Sequence, residues 1–117
     1  MNHKHHFDVY PENVAIIGGG RWARVFIDVL CGIVPSSVKL SVHSPRNAKG
    51  MAKWVVDRRL EKRINVSDCL PSLSSETSNA VIVVNAAGDH EKTVEWALVK
   101  GYQVLVEKPL CLNFIAA

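Results

Sequence analysis

The feature that most constrains this chain is a short apolar run that passes directly into three glycines. Val14-Ala15-Ile16-Ile17 predicts a buried strand, and Gly18-Gly19-Gly20 predicts a tight turn after it. Pro35 then closes a segment whose apolar residues recur at helical spacing, namely Trp22, Val25, Phe26, Val29, Leu30 and Ile33. Strand, glycine turn and helix therefore follow one another without a linker.

The rest of the chain continues to alternate between strand and helix patterns. The predicted elements are a strand over 38–42, a helix from 48 to about 60, a short strand over 64–66, a strand over 80–85, a helix ending at 101 and a strand over 103–106. Asp68 is a candidate cap for a brief helical turn. This order predicts an α/β fold of the Rossmann type, a doubly wound parallel sheet, as one domain over 13–117 after a tail over 1–12.

Composition narrows the class of protein. A chain of 117 residues with 48% hydrophobic content suits a single core. No run approaches the roughly 18 apolar residues of a membrane span, and the N-terminus lacks the order of a secretory signal. We therefore expect a cytoplasmic protein. The three cysteines are expected to be buried, reduced thiols and are Cys31, Cys69 and Cys111.

Charged and metal-binding residue types suggest no further partner. The net charge is +3, and the basic residues between Lys53 and Arg63 alternate with Asp57 and Glu61. That pattern is typical of a solvated helix face and not of a nucleic-acid site. Three histidines near the N-terminus have no fixed carboxylate beside them, so we predict no metal site; they are His3, His5 and His6.

The glycine turn has the residues that a dinucleotide site needs. A pyrophosphate must approach backbone N–H groups at the positive end of a helix. Gly18 permits the tight turn, Gly20 lacks the Cβ that would block a phosphate, and Ala23 lets the helix pack closely on the strand. Arg21 and Trp22 lie in the first turn of that helix. We predict that these residues bind a dinucleotide.

The end of the second strand bears on which dinucleotide is bound. An acidic residue there would bind the ribose of NAD, but none occurs between Asp28 and Asp57. Ser44 can donate a hydrogen bond to a 2′-phosphate, and Arg46 can pair with its charge. These residues favour NADP over NAD. The alternative is a polar turn with a surface arginine, which leaves the choice open.

The segment Glu107-Lys108-Pro109, directly after a predicted strand, resembles the Glu-Lys-Pro motif of the glucose-fructose oxidoreductase, inositol dehydrogenase and rhizopine-catabolism family (Gfo/Idh/MocA). The resemblance covers about residues 14–113. It implies an NAD(P)-dependent oxidoreductase that transfers hydride to or from a hydroxyl or carbonyl carbon of a sugar-like or cyclitol-like substrate. It also implies that Glu107 contacts the cofactor and that Lys108 is the catalytic cation near the nicotinamide.

Three further residues after the strand over 80–85 are candidates near the cofactor. Ala86 and Ala87 would line the cofactor crevice, although the family often has a Thr-Pro pair there. His90 matches a histidine that the family commonly has at the start of the next helix. Its role near the cofactor stays open against a helix-capping or surface position.

The family's second domain, which forms the substrate pocket, has no counterpart after residue 113. We therefore expect that this chain alone lacks a complete active site. The alternative function is a non-catalytic NADP(H)-binding or sensing module, or a remnant of an enzyme. Nucleic-acid binding through residues 53–63 is a third interpretation and needs no glycine loop. Apolar surface left by a missing domain would favour self-association into a homo-oligomer.

Overall fold

The structure, a computed structural model, describes residues 10–85 and 87–106. These residues form a five-stranded parallel sheet and three helices. The strands are β1 (Asn13–Ile17), β2 (Lys39–His43), β3 (Ile64–Ser67), β4 (Asn79–Val83) and β5 (Gln103–Val106). The helices are α1 (Arg21–Ile33), α2 (Ala48–Asp57) and α3 (Ala87–Val99). The predicted doubly wound α/β fold is confirmed.

The sheet order is β3-β2-β1-β4-β5, so the order of the strands reverses on either side of β1. The register aligns the strand ends, because Ile17 is opposite His43 on one side and Val83 on the other. The loops that follow β1, β2 and β4 therefore leave the sheet at one level. In open parallel sheets, ligands bind in the crevice at such a reversal point.

Alternation along β1 divides the core into two layers. Val14 and Ile16 face the side that α1 and α2 cover, where they pack with Ile27 and Met51. Ala15 and Ile17 face the opposite side, which α3 covers. Both faces of the central strands are thus buried, as the apolar sequence of β1 and β4 requires. Each large aliphatic side chain buried in this way contributes about 1.5–3 kcal/mol.

Helix α1 presents a different face to the core from the one that its strongest apolar residues suggest. Ala23 and Ile27 are buried, whereas Val25, Val29 and Ile33 are 40%, 51% and 64% exposed. A helix that packs on one face of a sheet buries only a stripe of its surface. The apolar spacing correctly predicted the helix, but four of the six residues that define it are exposed, since Trp22 is exposed as well.

Helix α2 ends at Asp57, three residues before the predicted end at Leu60. Arg59 has a φ of 60°, and its N–H donates to the carbonyl of Val56 at 2.9 Å. The N–H of Leu60 donates to the carbonyl of Val55 at 2.9 Å. This pair of hydrogen bonds is a Schellman motif. It could not be predicted from the sequence, because glycine usually occupies the position that Arg59 has here.

The early end of α2 also corrects the interpretation of the basic segment. Of its five cations, only Lys53 lies on the helix. Arg63 lies just before β3, where its guanidinium donates to the carbonyls of Val38 and Pro35, each at 2.9 Å. Arg63 therefore fixes the connection between α1 and β2 and does not belong to a solvated helix face.

Other expectations need smaller corrections. Asp68 starts no helical turn. Cys69 is exposed and Cys31 is half-buried, so the expectation of buried thiols was wrong for Cys69, while Cys111 lies outside the described residues. Burial raises the pKa of the Cys31 thiol, and a hydrogen bond to the Asp68 carboxylate raises that of Cys69. Within 10–85 and 87–106, no helix has the length and apolar character needed to cross a membrane.

Candidate functional site

A cleft of about 650 Å³ opens at the reversal point of the sheet, beyond the ends of β1 and β4. Its floor is the glycine loop, and one wall is the loop that follows β2. The opposite wall is formed by Val84 and Asn85 after β4 and by the first turns of α3. The cleft therefore lies where open parallel sheets place their ligands.

Gly18 is held between the ends of the two neighbouring strands. Its N–H donates to the carbonyl of His43 at 2.9 Å, and its φ is +149°. A Cβ added here would lie 2.9 Å from the carbonyl oxygen of Val84. Gly18 is thus required by both backbone conformation and close packing, which supports the role that the sequence predicted for it.

Gly20 differs from Gly18 because its missing Cβ faces open space. A Cβ there would meet nothing within 4 Å, and the residue lines the cleft. Gly20 is also the N-cap of α1, and its neighbours in the first turn include no acidic residue. The first N–H groups of a helix have no intrahelical acceptor, so this end of α1 carries partial positive charge toward the cleft. The N-terminus of α1 is therefore suited to bind a phosphate group.

The loop after β2 forms a wall held by short hydrogen bonds. The Ser44 hydroxyl is buried and accepts from the N–H of Asn47 at 3.0 Å. The Asn47 side chain in turn donates to the carbonyl of Gly19 at 2.8 Å. Gly19 needs to be glycine because a Cβ there would collide with the Ser44 side chain. The wall and the floor of the cleft are therefore built as one unit.

His43, the last residue of β2, joins this wall to neighbouring segments of the chain through two hydrogen bonds. Its Nδ1 is 2.7 Å from the carbonyl oxygen of Cys69, and its Nε2 is 2.8 Å from the Ser41 hydroxyl. A carbonyl only accepts, so Nδ1 carries the hydrogen and the hydroxyl donates to Nε2. Burial lowers the pKa of His43, partly offset by the hydrogen bond to Cys69. The neutral imidazole is therefore the form that the fold accommodates.

The cleft, its glycine floor and the parallel sheet agree with what the sequence matches. The family model described as "Oxidoreductase family, NAD-binding Rossmann fold" (Gfo/Idh/MocA) matches residues 12–117. The chain belongs to this family. The match covers the NAD-binding Rossmann domain of the family. No curated protein and no solved structure gives a significant match.

Most of the residues that the sequence nominated for the Gfo/Idh/MocA cofactor site lie together around the cleft. They are Gly18, Gly20, Arg21, Trp22, Ser44 and Arg46. Ala23 lies behind the floor, where it is completely buried between α1 and the sheet. Its small side chain therefore acts through packing and not through ligand contact.

The remaining nominated residues are divided between the far wall and the undescribed part of the chain. His90 is 1% exposed on α3, so the surface position left open for it was wrong. It is not among the side chains that line the cleft. Ala87 is the first residue of α3. Ala86, Glu107 and Lys108 lie outside the described residues.

Sequence analysis missed several side chains on the far wall. Asn85 donates to the Thr93 hydroxyl at 2.8 Å, and that hydroxyl donates to the carbonyl of Asp89 at 2.9 Å. The Oδ1 of Asn85 is buried and accepts no hydrogen bond from a described residue. The one signal in the sequence that could have identified Asn85 is its position just after β4, the most apolar strand. An unsatisfied acceptor beside a cleft fits a ligand hydroxyl or amide.

Charge along the cleft favours an anionic ligand of this Gfo/Idh/MocA domain. Among the described residues, three cationic side chains line it, Arg21, Arg46 and Lys92, against one acidic residue, Asp89. Arg46 and Asp89 form an ion pair with Nη2 and Oδ2 3.3 Å apart, and their side chains are 81% and 39% exposed. The pair joins the loop after β2 to α3.

Proposed function

We propose that residues 13–117 are the dinucleotide-binding domain of an oxidoreductase and that this domain holds NADP(H) in preference to NAD(H). The observation that carries the proposal is the open space at Gly20, directly in front of the N-terminus of α1. A pyrophosphate in that space would accept hydrogen bonds from the first N–H groups of the helix. The cationic lining would balance its charge.

The preference for NADP rests on the end of β2. Arg46 extends from this loop with most of its side chain exposed, and it is the residue best placed to pair with a 2′-phosphate. Ser44 already accepts from the Asn47 N–H, but its hydroxyl hydrogen remains available to a phosphate oxygen at the cleft wall. The loop that joins β2 to α2 contains no carboxylate.

The proposed reaction is transfer of a hydride between the nicotinamide and a hydroxyl or carbonyl carbon of a sugar-like or cyclitol-like substrate. The bound nicotinamide supplies the hydride chemistry. This chain would contribute Lys108 as the cation that polarises the substrate oxygen and Glu107 as a cofactor contact, as the family resemblance implies. The substrate pocket would come from a further domain.

The test is calorimetric titration of the purified chain with NADP⁺ and NAD⁺ in parallel. We expect tighter binding of NADP⁺, and a loss of about tenfold in its affinity in Arg46→Ala, since a charge-assisted hydrogen bond contributes about 1.5–3 kcal/mol. The affinity for NAD⁺ should stay within about twofold.

Lys49→Ala is the matched control, because it removes the same charge from an exposed residue that does not line the cleft. Equal losses in Arg46→Ala and Lys49→Ala would refute a specific role for Arg46. A folded chain that binds neither nucleotide would refute the proposed function.

A further inference from the structure

The ion pair across the cleft points to a specificity residue that lies outside the β2 loop. We propose that Asp89 on α3 determines how strongly this site discriminates NADP from NAD, by competing with the 2′-phosphate for Arg46. The inference rests on the proposed function. It assigns to α3 the acidic group that dinucleotide sites usually take from the end of the second strand.

The geometry places Asp89 where this competition must occur. Its Oδ2 is 3.3 Å from Nη2 of Arg46, and both residues line the same cleft. A 2′-phosphate that pairs with the Arg46 guanidinium therefore has to enter the same neighbourhood as the Asp89 carboxylate. The phosphate must displace the carboxylate or share the guanidinium with it. In either case two negative groups come close together.

The position of Asp89 is fixed by more than the ion pair. Its backbone carbonyl accepts from the Thr93 hydroxyl, which also accepts from the Asn85 side chain. The residue lies in the first turn of α3, where the helix end favours a negative charge. The backbone of Asp89 is therefore held beside the cleft, and a negative charge is favoured there also when Arg46 turns toward a ligand.

The same carboxylate affects NAD in the opposite direction. The free ribose of NAD carries two hydroxyls that can donate to a carboxylate, whereas the ribose of NADP carries a dianionic phosphate. Asp89 thus supplies a hydrogen-bond acceptor that no residue between Asp28 and Asp57 can supply. Arg46 favours NADP, Asp89 favours NAD, and the ratio of the two affinities reflects both.

The test uses two ligands that differ only in the 2′-phosphate, 2′,5′-ADP and 5′-AMP, each titrated into the full chain. Asp89→Asn keeps the shape of the side chain and removes its charge. We expect Asp89→Asn to bind 2′,5′-ADP roughly fivefold more tightly at low salt, since one like charge near a dianion is removed. Binding of 5′-AMP should be unchanged or weaker.

Glu91→Gln is the matched control. Glu91 is an exposed acidic residue two positions along α3 that does not line the cleft, so the substitution changes net charge equally. Circular dichroism and thermal unfolding establish that both variants remain folded. The informative quantity is the ratio of the two affinities, which a general loss of stability would not change.

The outcomes separate this inference from the proposed function. A ratio that rises in Asp89→Asn and not in Glu91→Gln supports the role of Asp89. Unchanged ratios, or equal rises in the two variants, overturn it and leave dinucleotide binding intact. If the folded wild-type chain binds neither ligand, both the inference and the proposed function are overturned.

Discussion

Gly20→Ala separates ligand binding from folding more cleanly than any other change in the glycine loop. Gly20 has φ and ψ of −106° and −157°, an extended conformation that alanine adopts without strain. The added Cβ would meet no atom within 4 Å. The folded protein therefore accommodates the methyl group, whereas a pyrophosphate bound against Gly20 in the cleft is expected to collide with it.

The magnitude follows from these two facts. Replacing a glycine by alanine in a compatible conformation stabilises a protein by about 0.4–1 kcal/mol, because the unfolded chain loses freedom. In the bound state the methyl group would displace the pyrophosphate from the α1 N–H groups. Losing one hydrogen bond to a charged group, about 1.5–3 kcal/mol, weakens binding by roughly ten- to a hundredfold.

The assay pairs urea unfolding with calorimetric titration of NADP⁺ for three variants. Gly32→Ala is the matched control, since Gly32 lies in α1 and a Cβ there also meets nothing within 4 Å. It should keep full affinity. Gly18→Ala should lose about 2–4 kcal/mol of stability, because its φ is +149° and its Cβ would lie 2.9 Å from the Val84 oxygen. Full affinity in a folded Gly20→Ala would refute the placement of the pyrophosphate.

Two predictions concern stability. His43 has a lowered pKa, so the unfolded state binds a proton more readily; the free energy of unfolding should fall as the pH drops below about 6.5, and less so in His43→Gln. Urea unfolding at pH 7.5 and 5 measures this, and an identical pH dependence in both proteins would contradict it. Arg63→Met should cost about 1–3 kcal/mol by chemical denaturation, because two carbonyls lose a charged donor. Lys62→Met, at an exposed neighbour, should cost less than about 0.5 kcal/mol.

The fold was predictable because its central strands β1 and β4 are apolar on both faces and its turns carry distinct residues. Residues 14–17 and 80–83 could be interpreted as central strands without knowledge of their partners. The end of α2 was not predictable, since Arg59 adopts a conformation that sequence rules assign to glycine. The exposed apolar face of α1 was also hidden, because spacing alone does not show which part of a wide apolar surface meets the sheet.

The candidate site was predictable only where its residues are adjacent in sequence. The glycine loop combines turn, phosphate approach and helix start within six residues, and each step has a local physical reason. The far wall offers no such local signal. Thr93 and Lys92 reach the cleft because α3 begins immediately after β4 and crosses above the sheet. Their side chains could be assigned to the site only once the direction of that helix was known.

Cofactor discrimination illustrates why the sequence order of a Rossmann domain is an incomplete guide to its chemistry. Asp89 is 43 residues from Arg46, yet the register of β1 with both β2 and β4 brings the loops after those strands to one level. A charge on α3 can therefore oppose or replace a charge at the end of β2. The β2 loop by itself shows only Arg46, the group that would attract a 2′-phosphate. If Asp89 acts as proposed, the balance between the two dinucleotides depends also on the opposite wall of the cleft.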